Sequence, residues 1–370
     1  MSKPRFTKLL SQLPAIVPFV GPETQERARG SVFDARLGAN ECVFGASPKA
    51  IAAMQTVSGE IWKYADPTSF DLRAALAEHY IVEMENIVVG EGIDGLLGYL
   101  ARMVVEEGDN IVTSDGAYPT FNYHVIGYGG NLQKVPYKED HEDLDGLLKA
   151  ATKTNAKLVY LANPDNPMGT VHAAEAVQNF IDRLPKNCLL ALDEAYIEFA
   201  PDGMSPRIDL TQSNVIRFRT FSKCYGMAGA RVGYAIGSKD VISQFEKIRN
   251  HFGMNRAAQA GALVALQDQD WIEHIRDNVK QSRDEIAKIA QDNGLSIIPS
   301  VTNFVAIDCG LDGIYARSVL SFLVANGVFV RMPFVTPQDR CIRISVGLKE
   351  DLQLFADLLP KALSAACSRT

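Results

Sequence analysis

Lys223 stands directly after Ser222 and before a loop with little side-chain bulk: Gly226, Ala228, Gly229 and Ala230, closed by Arg231. Glycine lets a ligand come close to backbone, so an amine and a hydroxyl beside such a loop can meet a small molecule directly. The forked donors of Arg231 suit a phosphate or a carboxylate. Apolar, β-branched and aromatic residues flank the loop, with Val215, Ile216, Phe218 and Phe221 before it and a run from Val232 to Ile236 after it. The stretch reads as strand, loop, strand. A solvated lysine in a flexible turn is the plain alternative.

Further polar groups follow apolar runs. Val88-Val-Gly-Glu-Gly-Ile-Asp-Gly95 leaves a strand pattern and opens a helix pattern. Unbonded N–H groups and the positive end of a helix dipole make an anion site there. The same stretch fits G-x-G-x-x-G, and Asp115 ends the next strand, so a dinucleotide-binding fold and an NAD-dependent dehydrogenase are a rival reading on Gly90, Gly92, Gly95 and Asp115. Tyr118, before Pro119, offers a ring that can stack on a flat ligand. Asn163-Pro-Asp-Asn-Pro-Met-Gly169 carries two prolines that force extended or turn geometry and hold the Asn166 amide in place. Leu189-Leu-Ala-Leu-Asp193-Glu-Ala-Tyr196 drives an apolar strand straight into an acid. A carboxylate at a buried strand end wants a cationic partner. Core packing for the tyrosine, a tight turn for the asparagine and a helix N-cap for the aspartate are the structural alternatives.

These groups need a frame. Strands are expected over 87–89, 110–113, 132–135, 158–161 and 188–192, alternating with helices over 96–105, 118–127, 144–150 and 173–184. Short continuous apolar strands between helices mean an α/β domain with a mostly parallel sheet covered on both faces. Before them, helices are expected from Pro48 and over 70–80, the second capped by Ser69. After the lysine stretch come one or two helices over 240–279, a separate amphipathic helix over 283–293, and then strands over 297–298, 304–307, 328–331 and 341–346 with helices over 314–326 and 350–366. That is a smaller α+β module. The expected division is an N-terminal arm over 1–32 packing on the small module, a large domain over 33–250 and a small C-terminal domain over 251–370. The arm holds one short helix and Pro-punctuated coil.

Composition narrows the classes. The chain has 370 residues, 47% of them hydrophobic, and a net charge of −7. It carries no basic block, which argues against nucleic acid or an anionic membrane surface as partner. Six cysteines are scattered without C-x-x-C spacing, which reads as reduced thiols rather than a disulfide frame or a zinc site. No apolar run approaches membrane-spanning length, and a cytoplasmic protein is expected.

The pattern Ser222-Lys-x-x-Gly-x-Ala-Gly-x-Arg-x-Gly-Tyr234 resembles the lysine motif of fold-type I pyridoxal-phosphate (PLP) aminotransferases, and specifically the histidinol-phosphate aminotransferase group. The other stretches match it in order and spacing over nearly the whole chain. The resemblance implies the PLP-dependent transferase fold and a role for each matching position. Lys223 would hold PLP as a Schiff base and Asp193 would pair with the ring nitrogen. Asn166 and Tyr196 would bond the ring oxygen, and Tyr118 would stack on the ring. The backbone at Gly92, Ile93 and Asp94, with Ser222 and Arg231, would grip the phosphate. Tyr64 resembles the tyrosine that reaches the neighbouring subunit's cofactor, which implies a homodimer. Arg343 resembles the arginine that clamps the substrate carboxylate, and Arg331 the one that contacts a substrate phosphate.

The chain also departs from that group. Asn40-Glu-Cys-Val-Phe-Gly45 stands where Asn-Glu-Asn-Pro-x-Gly is usual, Phe19 takes the place of an arm tyrosine that helps bind substrate phosphate, and Met168 replaces a threonine. The implied reaction moves an amino group from an L-amino acid or an amino-alcohol phosphate to a 2-oxo acid such as 2-oxoglutarate. Phe19 and Phe44 tilt the expected donor toward an apolar or aromatic side chain. Decarboxylation or β-elimination on the same fold, and a non-catalytic PLP sensor domain, are the other readings.

Overall fold

A computed structural model describes residues 4–14 and 20–367 of the chain. Phe19 lies outside the described residues. The strands, in chain order, are β1 (Ala35–Arg36), β2 (Ile87–Gly90), β3 (Asn110–Ser114), β4 (Asn131–Val135), β5 (Leu158–Ala162), β6 (Leu189–Asp193), β7 (Val215–Thr220), β8 (Gly233–Ile236), β9 (Ser296–Ile298), β10 (Phe304–Asp308), β11 (Val328–Phe329) and β12 (Cys341–Ser345).

Seven of them form the central sheet in the order β2-β8-β7-β6-β5-β3-β4. From β7 through β4 every pairing is parallel, while β8 runs antiparallel to both β7 and β2. Side chains alternate across this sheet. On β5, Tyr160 and Ala162 face the larger core, whereas Val159 and Leu161 face a second layer packed under the helices Leu144–Thr154 and Ala174–Arg183. Both faces are buried, which is why the strands read as unbroken apolar runs. The parallel strands put the ends of β5, β6 and β7, at Ala162, Asp193 and Thr220, along one rim where ligands gather.

The antiparallel sheet β12-β10-β9 carries a smaller core, shared with the helices Gly313–Ala325 and Lys349–Cys367. Core membership crosses the residue numbers at which the sequence suggests a division. Ala35 and Leu37 belong to the smaller core, where β1 pairs with β11, and Ala258, Ala262, Ile272 and Ile275 belong to the larger one. Met168 is fully buried with Ile298, Ala306 and Cys341, so a thioether fills the seam between the two sheets.

Four local expectations need correction. Ser69 makes no side-chain cap; it sits at φ 48°, and Asp66 reaches past it to accept from the Phe70 amide at 2.7 Å. An aspartate in the preceding turn satisfies the same orphan N–H. The separate helix over 283–293 is the end of one helix, Gln269–Asp292, whose buried stripe runs from Ile272 to Ile289, apolar except at Ser282. The N-terminal arm holds a second helix, Pro22–Arg29, started by proline and ended by Gly30 at φ 76°. The helix after β2 starts at Gly92 instead of residue 96, which places its N-terminus at the glycine-rich turn.

Candidate active site

A cavity of about 320 Å³ opens at the rim of the large sheet. Ile93, Asp94, Tyr118, Asn166, Asp193, Tyr196, Ser222, Lys223, Arg231, Arg343 and Asn40 all line it, so residues spread over three hundred positions meet at one place. Asp193 comes from the end of β6, Ser222 and Lys223 from the turn after β7, Ile93 and Asp94 from the helix start after β2, and Arg343 from β12 of the smaller sheet.

Lys223 lies in the turn after β7. Its Nζ donates to the Asn40 carbonyl oxygen at 3.0 Å and sits 5.4 Å from the centroid of the Tyr196 ring. Asp193, the last residue of β6, is 5% exposed. Its Oδ2 accepts from the Tyr160 phenol at 2.6 Å and its Oδ1 from the Ala195 amide at 2.9 Å. Burial pushes the Asp193 carboxyl up to about 6, opposed by those two hydrogen bonds and reinforced by the nearby Asp94 and Glu194 charges. Among the described residues it makes no ion pair. A buried carboxylate without a cation is an expensive arrangement, and a ring carrying a protonated nitrogen would relieve it.

The anion cradle forms where the helix Gly92–Val104 begins. Gly92 has φ 78°, and a Cβ there would stand 2.2 Å from Arg231 Nη2. The backbone angle favours glycine, and a Cβ would displace the Arg231 guanidinium from the cradle. Arg231 Nη1 donates to Ser222 Oγ at 3.2 Å, and its Nη2 lies 3.7 Å from Asp94 Oδ2. Asp94 therefore brings a carboxylate as well as an amide to this end. Its Oδ1 accepts from the Tyr118 phenol at 2.8 Å, which pins the ring that the sequence marks for stacking. Burial first, and then the Asp94 charge, pushes the Tyr118 phenol well up.

Tyr196 Oη is reached by two amides, Asn40 Nδ2 at 3.1 Å and Asn166 Nδ2 at 3.4 Å. Asn166 is presented by a turn that Asp165 ties down, accepting from the Met168 amide at 2.9 Å and the Tyr137 phenol at 2.8 Å. Arg343 Nη1 donates to Asn166 Oδ1 at 2.5 Å, while its Nε is buried without a hydrogen-bond partner among the described residues. Arg331 forms a backbone bridge with Arg343 and donates from Nη2 to the Val20 carbonyl oxygen, so the arm closes over it. The two guanidiniums share an adjoining pocket with Tyr118 and Asn166. Burial, and then Arg343's charge, lowers Arg331 to about 10.

Two residues of the sequence reading lie elsewhere. Tyr64 is 79% exposed, outside this cavity, with its ring 4.8 Å from that of Phe252. Phe44 packs on the larger core and does not line the cavity. Several partners went unforeseen. Tyr160 looked like one more aromatic in a buried strand; its even spacing with Ala162, whose strand end lines the rim, was the available signal. Asn303 donates to the Asn40 carbonyl at 3.0 Å and Ser345 to Asn40 Oδ1 at 2.9 Å. No local pattern links them to residue 40.

The dinucleotide reading fails on topology. The strand before Gly90 is the antiparallel edge of the sheet, paired only with β8, whereas a dinucleotide fold needs it parallel and central. Asp115 forms a surface ion pair with Lys134 instead.

The family model for aminotransferase class I and II matches residues 35–359. The chain belongs to that family. It is an enzyme, a PLP-dependent transaminase of fold type I. A histidinol-phosphate aminotransferase of Sinorhizobium meliloti, solved in complex with pyridoxal-5'-phosphate, superposes with a TM-score of 0.95 at 50% identity over 98% of each chain. Histidinol-phosphate aminotransferase 2 of Pseudomonas fluorescens (strain Pf0-1) is 34% identical over 364 residues, 96% of each chain. An aspartate aminotransferase of Thermus thermophilus matches with a TM-score of 0.82 at 22% identity over 98% of this chain and all of that one, a likeness of fold alone.

Proposed function

We propose that this transaminase takes a phosphorylated amino alcohol of the histidinol-phosphate kind as amino donor and passes the amino group to a 2-oxo acid such as 2-oxoglutarate. The observation that carries the reading is the half-buried pair Arg331 and Arg343 lining one pocket. Two adjacent guanidiniums repel each other, and an anion carrying two charges compensates both. A phosphate on the donor and a carboxylate on the acceptor supply such charge in turn. The relatives from Sinorhizobium and Pseudomonas carry histidinol phosphate in their names, which supports the same choice. The tilt toward an aromatic donor loses one of its supports, since Phe44 packs into the core.

When bound, pyridoxal phosphate supplies an aldehyde that takes up the amino group and a ring that absorbs the electrons of the breaking C–H bond. Lys223 Nζ would hold the aldehyde and, when free, would move the α-proton. Asp193 would pair with the ring nitrogen. Asn166 and Tyr196 would orient the ring oxygen, Tyr118 would pack against the ring, and the amides of Gly92, Ile93 and Asp94 with Ser222 and Arg231 would hold the phosphate. Asn40 sets the positions of Lys223 and Tyr196 through a hydrogen bond to each, and two bonds to Ser345 hold Asn40 itself in place.

The working form is a homodimer in which Tyr64 reaches the neighbouring cofactor. Trp62 and Tyr64 are each 79% exposed and Phe252 is 53% exposed, an apolar patch that a second copy would cover. Six unbridged cysteines, five of them buried, fit a cytoplasmic enzyme. Comparing turnover of histidinol phosphate, phenylalanine and tyrosine with 2-oxoglutarate tests the donor. Arg331→Leu should lower kcat/KM for the phosphorylated donor about 10- to 100-fold, the worth of one or two charge-assisted bonds, and leave phenylalanine nearly unchanged. Equal losses for both donors, or phenylalanine preferred by the wild type, would sink this choice.

A further inference from the structure

We propose that Tyr160 is a positioning residue for the reaction: its phenol, donating to Asp193 Oδ2, holds that carboxylate ionised and aimed into the cavity. The inference rests on the role proposed above for Asp193. No sequence motif points to Tyr160, and its place in the fold is a core position.

The geometry sets this position apart from ordinary core packing. Tyr160 is completely buried, and its ring stacks on Phe121 with centroids 4.5 Å apart and planes 17° from parallel. Its register on β5 sets it opposite Ala191 on β6, two residues before Asp193. Strand and stack together leave the phenol one direction, and its hydrogen bond at 2.6 Å goes to Asp193. Phenylalanine would fill the same space without a polar atom to satisfy. A buried hydroxyl is retained at a net cost unless it has an acceptor. The hydroxyl is also the donor at every working pH, because burial and the Asp193 charge hold its own ionisation well above the ordinary range.

The groups around Asp193 explain why such a donor is needed. Asp94 faces it from the helix Gly92–Val104, Glu194 follows it in the chain, and the buried Glu142 lies close enough for the two carboxyls to repel. Glu194 is turned to Arg217 and Arg219, each at 3.0 Å, so those cations are spent elsewhere. Among the described residues, only Tyr160 and the Ala195 amide bond the Asp193 carboxylate oxygens. Of these two the amide is fixed by the backbone of any residue, which makes Tyr160 the side chain that sets how readily Asp193 keeps its charge.

The test is the cofactor dissociation constant of the full chain as a function of pH, measured by fluorescence titration with pyridoxal phosphate. In the wild type, affinity should fall on acidification as Asp193 protonates. In Tyr160→Phe the midpoint of that fall should move up by about one pH unit, the tenfold change in proton affinity that one hydrogen bond to a charged group is worth. Affinity on the alkaline side should stay close to wild type, and kcat should drop about tenfold with KM within about twofold. 3-Fluorotyrosine placed at position 160, a stronger donor, should move the midpoint down, and it keeps the test alive if the phenylalanine variant folds poorly. An unmoved midpoint in both variants would overturn the inference. If instead the wild type has no acid limb and Asp193→Asn binds the cofactor as tightly as wild type, the role of Asp193 itself falls.

Discussion

Asp193→Asn should have opposite effects on the protein with and without its cofactor. The folded pKa is raised from 3.8 to about 6. The stability associated with this group is thus fully present below the unfolded value and lost as pH rises through the folded one. Two units at 1.36 kcal/mol each amount to a penalty of about 3 kcal/mol at alkaline pH in the cofactor-free chain. Asparagine does not ionise and removes that penalty. It can accept from the Ala195 amide and donate to the Tyr160 oxygen, which leaves the Tyr160 hydroxyl without an acceptor at a cost of about 1–2 kcal/mol. The cofactor-free variant should therefore gain about 1–2 kcal/mol over wild type near pH 8. It should lose a similar amount near pH 4, where the aspartic acid is already neutral. With cofactor present the order reverses, because removing one member of a buried charge pair costs about 3–5 kcal/mol. The dissociation constant near pH 8 carries both changes and should rise by about three to five orders of magnitude. Urea melts of the cofactor-free chain at the two pH values, with a cofactor titration of each protein, measure all of this. A variant equally destabilised at both pH values, or one that binds cofactor like wild type, would refute the reasoning.

Gly92→Ala should weaken cofactor binding at least about tenfold, since the left-handed backbone costs about 1–2 kcal/mol and the new methyl would stand 2.2 Å from Arg231 Nη2; equilibrium dialysis reads it, and unchanged affinity would contradict the cradle. Glu198→Gln addresses a buried carboxylate whose two oxygens have no hydrogen-bond partner among the described residues, raised by burial from 4.5 to about 7. That penalty is absent below the unfolded value and complete above the folded one. The variant should be more stable than wild type near pH 8, by up to about 3 kcal/mol, and match it below about pH 4. Trp62→Ala should weaken self-association if the exposed patch is the subunit contact, and sedimentation velocity would show a dimer that persists if it is not.

Much of the frame was legible because it rests on local rules. Continuous apolar strands between helices announced a covered parallel sheet, and the polar residues ending them fell at one rim. Gly226, Ala228 and Gly229 around Lys223 marked a close approach that the structure repeats at Gly226, whose Cβ would stand 2.4 Å from the Gly45 carbonyl oxygen. What was illegible depends on distant pairing. Nothing near Tyr160 in the chain says that its hydroxyl meets residue 193, and nothing near Asn40 says that residues 223, 303 and 345 converge on it. The G-x-G-x-x-G match was misleading for the same reason: its spacing is local, while the antiparallel edge position that excludes a dinucleotide is a property of β8, over a hundred residues later. The helix over 70–80 has the expected bounds, and only its cap was misassigned, because Asp66 in the preceding turn supplies it in place of Ser69.

The central claim is that Lys223 is the amine that carries the cofactor. Borohydride reduction of the holoenzyme followed by peptide mass mapping tests it directly. The account predicts one pyridoxyl-phosphate label per chain, on Lys223, and none in Lys223→Ala. A label on another lysine, or undiminished labelling of the variant, would contradict it.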